Sequence, residues 1–345
     1  MNTYKKTLII NFVLAFTSLL FSLGAVELVA WFWESGLMNS PHGWELVASR
    51  RICVKASHNP DINAVLCPNR NYTWENNLVE INLHGIRDVV HSFEKPEGTY
   101  RILSLGDSVA FGWENGLEDT YTKQIETMAH GDGYVNTETI NAGIMGWDLP
   151  IERAYLEETG LKYDPDVIIV EVTVHNDIYP QRYTVPSPSM AKWLRDNTYS
   201  WGFASHISRK MKENIGTLHA EASSNSIYPF PLDKHDIQWD EFIRTPIREM
   251  ARLATENNAE FIVVIFPTDA QVQSIDYPTT AQSVIKDLES DGIQVLDLLP
   301  VYRTVYQQLD TQPNELNPLF ADATSHPSAL GHSLAAEAIY EMLMK

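Results

Sequence analysis

Positive charge is scarce in this chain. Lys and Arg number 25 against 45 Asp and Glu, a net charge of −20 over 345 residues. Nucleic-acid binding draws its affinity from Lys and Arg that replace phosphate counterions, so nucleic-acid partners are set aside. Cysteine is nearly absent, with two in the chain, and Cys53 and Cys67 lack the companion ligands of a zinc set. No internal repeat or low-complexity tract is visible, which removes solenoids and arrays. What remains is a length sufficient for one large domain plus extras, with an ordinary hydrophobic content of 44%.

Charge is also missing from Leu8 to Val26, 19 residues preceded by Lys5 and Lys6. As a helix this run would be about 28 Å long, close to the thickness of a hydrocarbon core. Glu27 follows, then Trp31, Phe32 and Trp33, the aromatics expected at an interface. Lysines before the run and Glu34 after it place the amino end in the cytoplasm and the rest outside. The reading is an uncleaved signal anchor, residues 1–33. A cleaved signal peptide ending near Ser22-Leu-Gly24 competes with it, and a buried soluble helix is the third option. Cys53 and Cys67 fit an oxidising compartment, where they would form one disulfide worth about 3 kcal/mol in the chain-entropy model; two unpaired thiols are the alternative. Asn71-Tyr-Thr73 is a glycosylation sequon.

Residues 34–98 read as a membrane-proximal segment feeding a first hairpin or loop. At its end stands Asn82-Leu-His-Gly-Ile-Arg87-Asp88, in which Gly85 suggests a turn and Arg87 a solvated surface charge. From Tyr100 onward short apolar runs alternate with amphipathic stretches. Strands are expected at 102–105, 137–140, 167–172, 261–266 and 293–296. Helices are expected at 121–129, 150–159, 243–256, 279–290 and from Pro327 to Met344. Such alternation means a parallel sheet covered on both faces. Between Ile178 and Trp239 the alternation fails, and this aromatic, Pro- and Ser-containing stretch reads as an insertion.

The first of these strands breaks at Gly106-Asp107-Ser108. In open α/β sheets ligands gather beyond the carboxyl ends of strands, so Ser108 is placed as a nucleophile if something activates it. Alone, Gly-Asp-Ser is also an ordinary turn. Three later stretches supply companions. Asn141-Ala-Gly143-Ile-Met-Gly146 follows the second strand, where Gly143 could turn sharply and present an N–H. Asn176-Asp177 follows the third, where the Asn176 amide could face a developing oxyanion. Asp322-Ala-Thr-Ser-His326-Pro327 opens the last helix, with Pro at its first position and His326 at its mouth. The blocks are expected at successive strand ends in the order of the sheet.

This set resembles the SGNH (GDSL-type) hydrolase superfamily over about residues 99–345. Its blocks are Gly-Asp-Ser after the first strand, Gly after the second, Asn-Asp after the third and Asp-x-x-His-Pro near the C-terminus. The Asn82-x-x-Gly-x-Arg87 element behind an N-terminal membrane segment looks like a bacterial subset with extracytoplasmic catalytic domains. The resemblance implies a flavodoxin-like three-layer α/β/α fold around a mostly five-stranded parallel sheet. It implies Ser108 as nucleophile, His326 as base, and an oxyanion hole from the N–H groups of Ser108 and Gly143 with the Asn176 side chain. No metal or organic cofactor is implied. The window Gly106 to Ala110 lacks the second glycine of the α/β-hydrolase elbow.

The chain departs from the pattern twice. The family's Asp stands three before the His, where this chain has Ala323, so Asp322 completes a triad only if a one-residue bulge intervenes; otherwise the site is a Ser-His dyad. Val174 replaces a glycine two before Asn176. His175 and His332 read as structural. The implied substrate is an ester-linked acyl group, acetyl above all, on an extracytoplasmic glycan or lipid, with hydrolysis and acyl transfer both open. A tethered, catalytically inactive binding or assembly subunit is the rival, and a soluble intracellular thioesterase a third reading. The expected address is the membrane, with the catalytic domain extracytoplasmic, in the periplasm if the cell is Gram-negative.

Overall fold

A computed structural model describes residues 3–37, 54–62, 64–74, 77–173, 239–309, 317–322 and 325–344 of the chain. These fall into two units, the N-terminal helix in one and everything from residue 54 onward in the other.

The first unit's described element is helix α1, Thr3–Leu37. Within it Asn11–Trp31, 21 residues, is long and apolar enough to cross a membrane, about 31 Å at 1.5 Å per residue. Its large side chains are exposed, Phe21 at 81%.

The second unit opens with two antiparallel hairpins. Strands β1 (Val54–Ala56) and β2 (Ala64–Leu66) pair in one, β3 (Arg70–Trp74) and β4 (Asn77–Ile81) in the other. Cys67, just past β2, is disulfide-bonded. Cys53, its expected partner, lies outside the described residues.

The α/β part follows. Strands β5 (Tyr100–Gly106), β6 (Thr137–Gly143), β7 (Val167–Thr173), β8 (Glu260–Phe266) and β9 (Gln294–Asp297) form one wholly parallel sheet. The expected strand positions are all occupied. The order across the sheet is β6-β5-β7-β8-β9, so the motif blocks follow the chain order and not the spatial one. The connection after β5 runs to one side and the connection after β6 returns to the other. That reversal opens a crevice beyond β5, where open α/β sheets bind ligands. Ser108 stands there.

Hydrophobicity explains the layering. All seven residues of β7 are buried, as a central parallel strand requires. Ile102, Val167, Ile169, Ile262, Val264 and Phe266 face one layer. It consists of α3 (Tyr121–Gly131), α8 (Leu299–Tyr306) and α9 (Ala329–Leu343), which contribute Ile125, Tyr302 and Ile339. Helices α4 (Leu149–Glu158) and α5 (Thr245–Glu256) pack together on the other side. A short helix α2, Ser108–Phe111, follows β5, and α6 (Asp269–Gln273) and α7 (Thr280–Lys286) lie between β8 and β9. Helix α9 starts at Ala329 with Ser328 as its N-cap. Pro327 is therefore not its first residue: it pairs in an isolated antiparallel bridge with Phe320. Of the expected insertion, 178–238 lies outside the described residues.

Buried charges tie the segment after the hairpins to this sheet. Lys123 on α3, 4% exposed, donates to Thr139 O at 2.6 Å and sits 2.7 Å from Asp88 Oδ1. Asp88 Oδ2 accepts the Asn141 N–H of β6 at 2.7 Å. Breaking a buried pair leaves an uncompensated charge, at about 3–5 kcal/mol. Lys123→Met is expected to destabilise by that amount in denaturant melts; a loss below about 1 kcal/mol would show that water reaches Asp88 after all.

Candidate active site

The Ser108 turn is built by a cap and a missing side chain. Asp107 is the N-cap of α2, its Oδ1 accepting the Val109 N–H at 2.8 Å. This leaves the Ser108 N–H, at a position where helices have no internal acceptor, without a backbone partner among the described residues. Gly106 has no room for a side chain: a Cβ there would lie 2.5 Å from Glu171 Oε2 and 2.7 Å from Ala110 Cβ.

His326 reaches this turn from the far end of the chain. Its Nε2 is 2.9 Å from Ser108 Oγ, and its Nδ1 is 2.6 Å from Asp322 Oδ2. Asp322 Oδ1 accepts the His326 backbone N–H at 3.1 Å, so one carboxylate holds both the ring and its backbone. A carboxylate on Nδ1 keeps the proton there and turns the Nε2 lone pair toward the serine hydroxyl. The one-residue departure from the family spacing is absorbed by the loop. Ser325 adopts φ 74°, the left-handed region that side chains rarely enter, while the Ala321 N–H bonds His326 O at 2.8 Å. Ser325 Oγ is held by the Asp269 N–H at 3.0 Å. The indole of Trp113 lies beside the imidazole, with ring centroids 6.0 Å apart.

Gly143 is placed differently from expectation. It ends β6 directly against α2, where an added Cβ would meet Ala110 C at 2.6 Å and Ala110 Cβ at 2.7 Å. Its N–H donates to Asn141 Oδ1 at 3.0 Å, so in this geometry that donor is engaged within the turn. Gly146, three residues on, has φ 74°, and its N–H has no backbone acceptor among the described residues. The second glycine of Asn141-Ala-Gly-Ile-Met-Gly146 was the sequence signal for it. Asn176 lies outside the described residues. His332 is structural, as expected: fully buried in α9, its Nδ1 accepts the Tyr121 N–H at 3.2 Å. Burial first, then the charges of Arg87 and His326, lower its pKa to about 3. Among the described residues no cluster of His, Cys, Asp or Glu is placed to hold a metal ion.

Below the nucleophile lie buried carboxyls that the sequence did not flag. Glu171 Oε2 accepts the Asp107 N–H at 3.2 Å, and its Oε1 accepts the Thr173 hydroxyl. Glu152 on α4 is fully buried, and among the described residues neither carboxyl oxygen has a hydrogen-bond partner. Burial pushes both well above the ordinary carboxyl range, and the nearby Asp107 charge adds to the shift, with Asp148 adding for Glu152. The shift favours the protonated form of both beneath Ser108.

No family model and no curated protein matches the chain. Solved structures similar to it include a lipolytic protein of the G-D-S-L family from Desulfitobacterium hafniense DCB-2, at 15% identity, covering 70% of this chain and 99% of that one, TM-score 0.41. The acetylxylan esterase Axe2 from Geobacillus stearothermophilus is 15% identical over 72% of this chain and 95% of its own, TM-score 0.44. The acetyl xylan esterase AlAXEase is 13% identical over 70% and 99%, TM-score 0.45. These likenesses are distant; what the site can do follows from its own geometry.

A carboxyl whose pKa is raised on folding keeps its proton in the native chain while the unfolded chain releases it. Its contribution to stability is therefore present below the unfolded pKa, near 4.5, and is lost as pH rises toward the folded value. Glu152→Gln is expected to raise the melting temperature at pH 8 and to change it little at pH 4; equal shifts at both would mean that Glu152 is not held neutral.

Proposed function

We propose that the protein is an SGNH (GDSL-type) serine enzyme, an esterase or acyl-transfer enzyme. Its substrate would be an ester-linked acyl group, acetyl above all, on an extracytoplasmic glycan or lipid. The observation that carries this is the continuous relay from Asp322 Oδ2 through His326 to Ser108 Oγ, at 2.6 and 2.9 Å. A nucleophile, a base and a group orienting the base within hydrogen-bond reach form the signature of an activated hydroxyl. In a binding or assembly subunit nothing would maintain that relay.

In the proposed reaction Ser108 Oγ attacks the ester carbonyl carbon as His326 Nε2 takes the hydroxyl proton. The oxyanion is received by the Ser108 N–H, with a glycine N–H of the 143–146 turn and the Asn176 side chain as further donors. Collapse breaks the bond to the alcohol, to which His326 returns the proton, leaving an acyl-serine. Water or an acceptor hydroxyl then resolves it by the same steps, with His326 again as base. Asp322 remains ionised and steadies the imidazolium. Donors that meet charge developed only in the transition state are worth about 10²–10³ in rate each.

The apolar helix, 21 residues long at Asn11–Trp31, supports a membrane anchor. The lysines before it support a catalytic domain outside the cytoplasm, and the disulfide at Cys67 fits an oxidising compartment there.

Two variants test this in the full chain, made in an oxidising compartment and solubilised in detergent. Wild type should be labelled by a serine-directed fluorophosphonate and turn over a short activated acetyl ester, and Ser108→Ala should do neither. Folded wild type inert to both would sink the serine reading. Asp322→Ala should retain labelling but lose about 10⁴-fold in kcat, the loss seen when the orienting acid of such a relay is removed. An unchanged kcat would make the site a dyad.

A further inference from the structure

The Asn82–Arg87 element has no part in the chemistry above, yet Arg87 is not the solvated charge its sequence suggests. It is fully buried. Its Nη1 donates to Phe111 O at 3.0 Å and Gly112 O at 2.7 Å, and its Nη2 to Asn115 O at 2.7 Å. The guanidinium carbon lies 5.2 Å from the Phe111 ring centroid. Those carbonyls belong to the end of α2, the four-residue helix that begins at Ser108, and to the loop leaving it through Gly112 at φ 79°. So short a helix pairs few of its own carbonyls, and a cation at its C-terminal end replaces the missing donors. Burial lowers the Arg87 pKa to about 10, with Asp119 opposing the shift, so the group stays charged at neutral pH.

The contact chain continues to the base. Asn115, 5% exposed, takes the Arg87 Nη2 donor on its own carbonyl. Its side-chain Nδ2 then donates to Trp113 O at 2.8 Å and to Pro327 O at 2.9 Å. Pro327 directly follows His326. The turn bearing the nucleophile and the turn bearing the base are thus joined by a second hydrogen bond, independent of the one between Ser108 and His326. Arg87 anchors the near end of that joint. Its own backbone is held by the Asn82 turn, where Asn82 Oδ1 accepts the His84 N–H at 2.8 Å and Gly85 adopts φ 80°. Asp88 pins the neighbouring residue to β6.

We propose that Arg87 and Asn115 are positioning residues that hold the Ser108 turn and the His326 turn at reacting distance. Neither touches the reacting atoms; both act through backbone carbonyls. The proposal rests on Ser108 and His326 being the catalytic pair. A misplacement of about 1 Å in such a pair can cost roughly 10²-fold in rate, whereas substrate binding by other surfaces is untouched.

The test compares full-length wild type with Asn115→Ala, Asn115→Asp and Arg87→Lys. Read for each are kcat per folded molecule and KM on a short activated acetyl ester, the rate of fluorophosphonate labelling, and the melting temperature. Asn115→Asp keeps the size of the side chain and replaces the amide donor that faces Trp113 O and Pro327 O, so it still reports if Asn115→Ala does not fold. Both Asn115 variants are expected to lose about 10- to 100-fold in kcat with KM within about twofold. Labelling should slow in parallel. Arg87→Lys, which keeps the charge and loses the fork, should fall between them and wild type. A lowered melting temperature with kcat per folded molecule unchanged would overturn the proposal and leave Arg87 and Asn115 as supports of stability alone. Inert wild type would overturn the serine reading instead, and this one with it.

Discussion

Everything in the α/β part converges on a contact of 2.9 Å between Ser108 Oγ and His326 Nε2, residues 218 positions apart. Neither turn sets that distance by itself. The Ser108 turn is fixed from beneath by β5 and β7, through the Asp107 N–H on Glu171. The histidine turn is fixed by Asp322 and by the Phe320–Pro327 bridge. Two turns distant in sequence are brought together by the sheet and the C-terminal helix, which is what sets the Ser108–His326 distance.

Electrostatics divides the region around the site into two kinds of buried group. Carboxyls with no cation beside them among the described residues, Glu152 and Glu171, are pushed toward the protonated form, because an isolated ion taken out of water is costly. The cations that are buried are met by acceptors: Arg87 by three carbonyls, Lys123 by Asp88 and Thr139 O. Arg101 is met by Glu138 and Tyr163 O. Two of these three join the segment that precedes the sheet to the α/β part: Arg87 to the end of α2 and the loop after it, and Lys123, through Asp88, to β6. Arg87 and Asp88, in the segment 34–98 that reads as membrane-proximal, are therefore buried against the α/β part.

Much of this was legible in the chain. The five strands are short apolar runs bounded by turn residues, so hydrophobic burial determined them, and their alternation with helices determined a parallel sheet. Gly-Asp-Ser and the late His-Pro could be found because a hydroxyl and an imidazole are specific groups, one set just past a strand end and the other just before the last helix. The 19 uncharged residues from Leu8 to Val26 determined a helix long enough for a bilayer by length alone.

Tertiary structure decided what sequence spacing left open. Asp322 reaches His326 although it stands four residues away, because Ser325 takes a left-handed φ of 74°, and a backbone angle of that kind leaves no mark in residue type. Gly143 proved to be required by the approach of α2, while its N–H is engaged by Asn141. Arg87 looks in one dimension like any surface charge; only the folded chain brings three carbonyls around it. In each case the deciding partner is distant in sequence or hidden in a dihedral angle, whereas strands and helices follow from periodicities that neighbours carry among themselves.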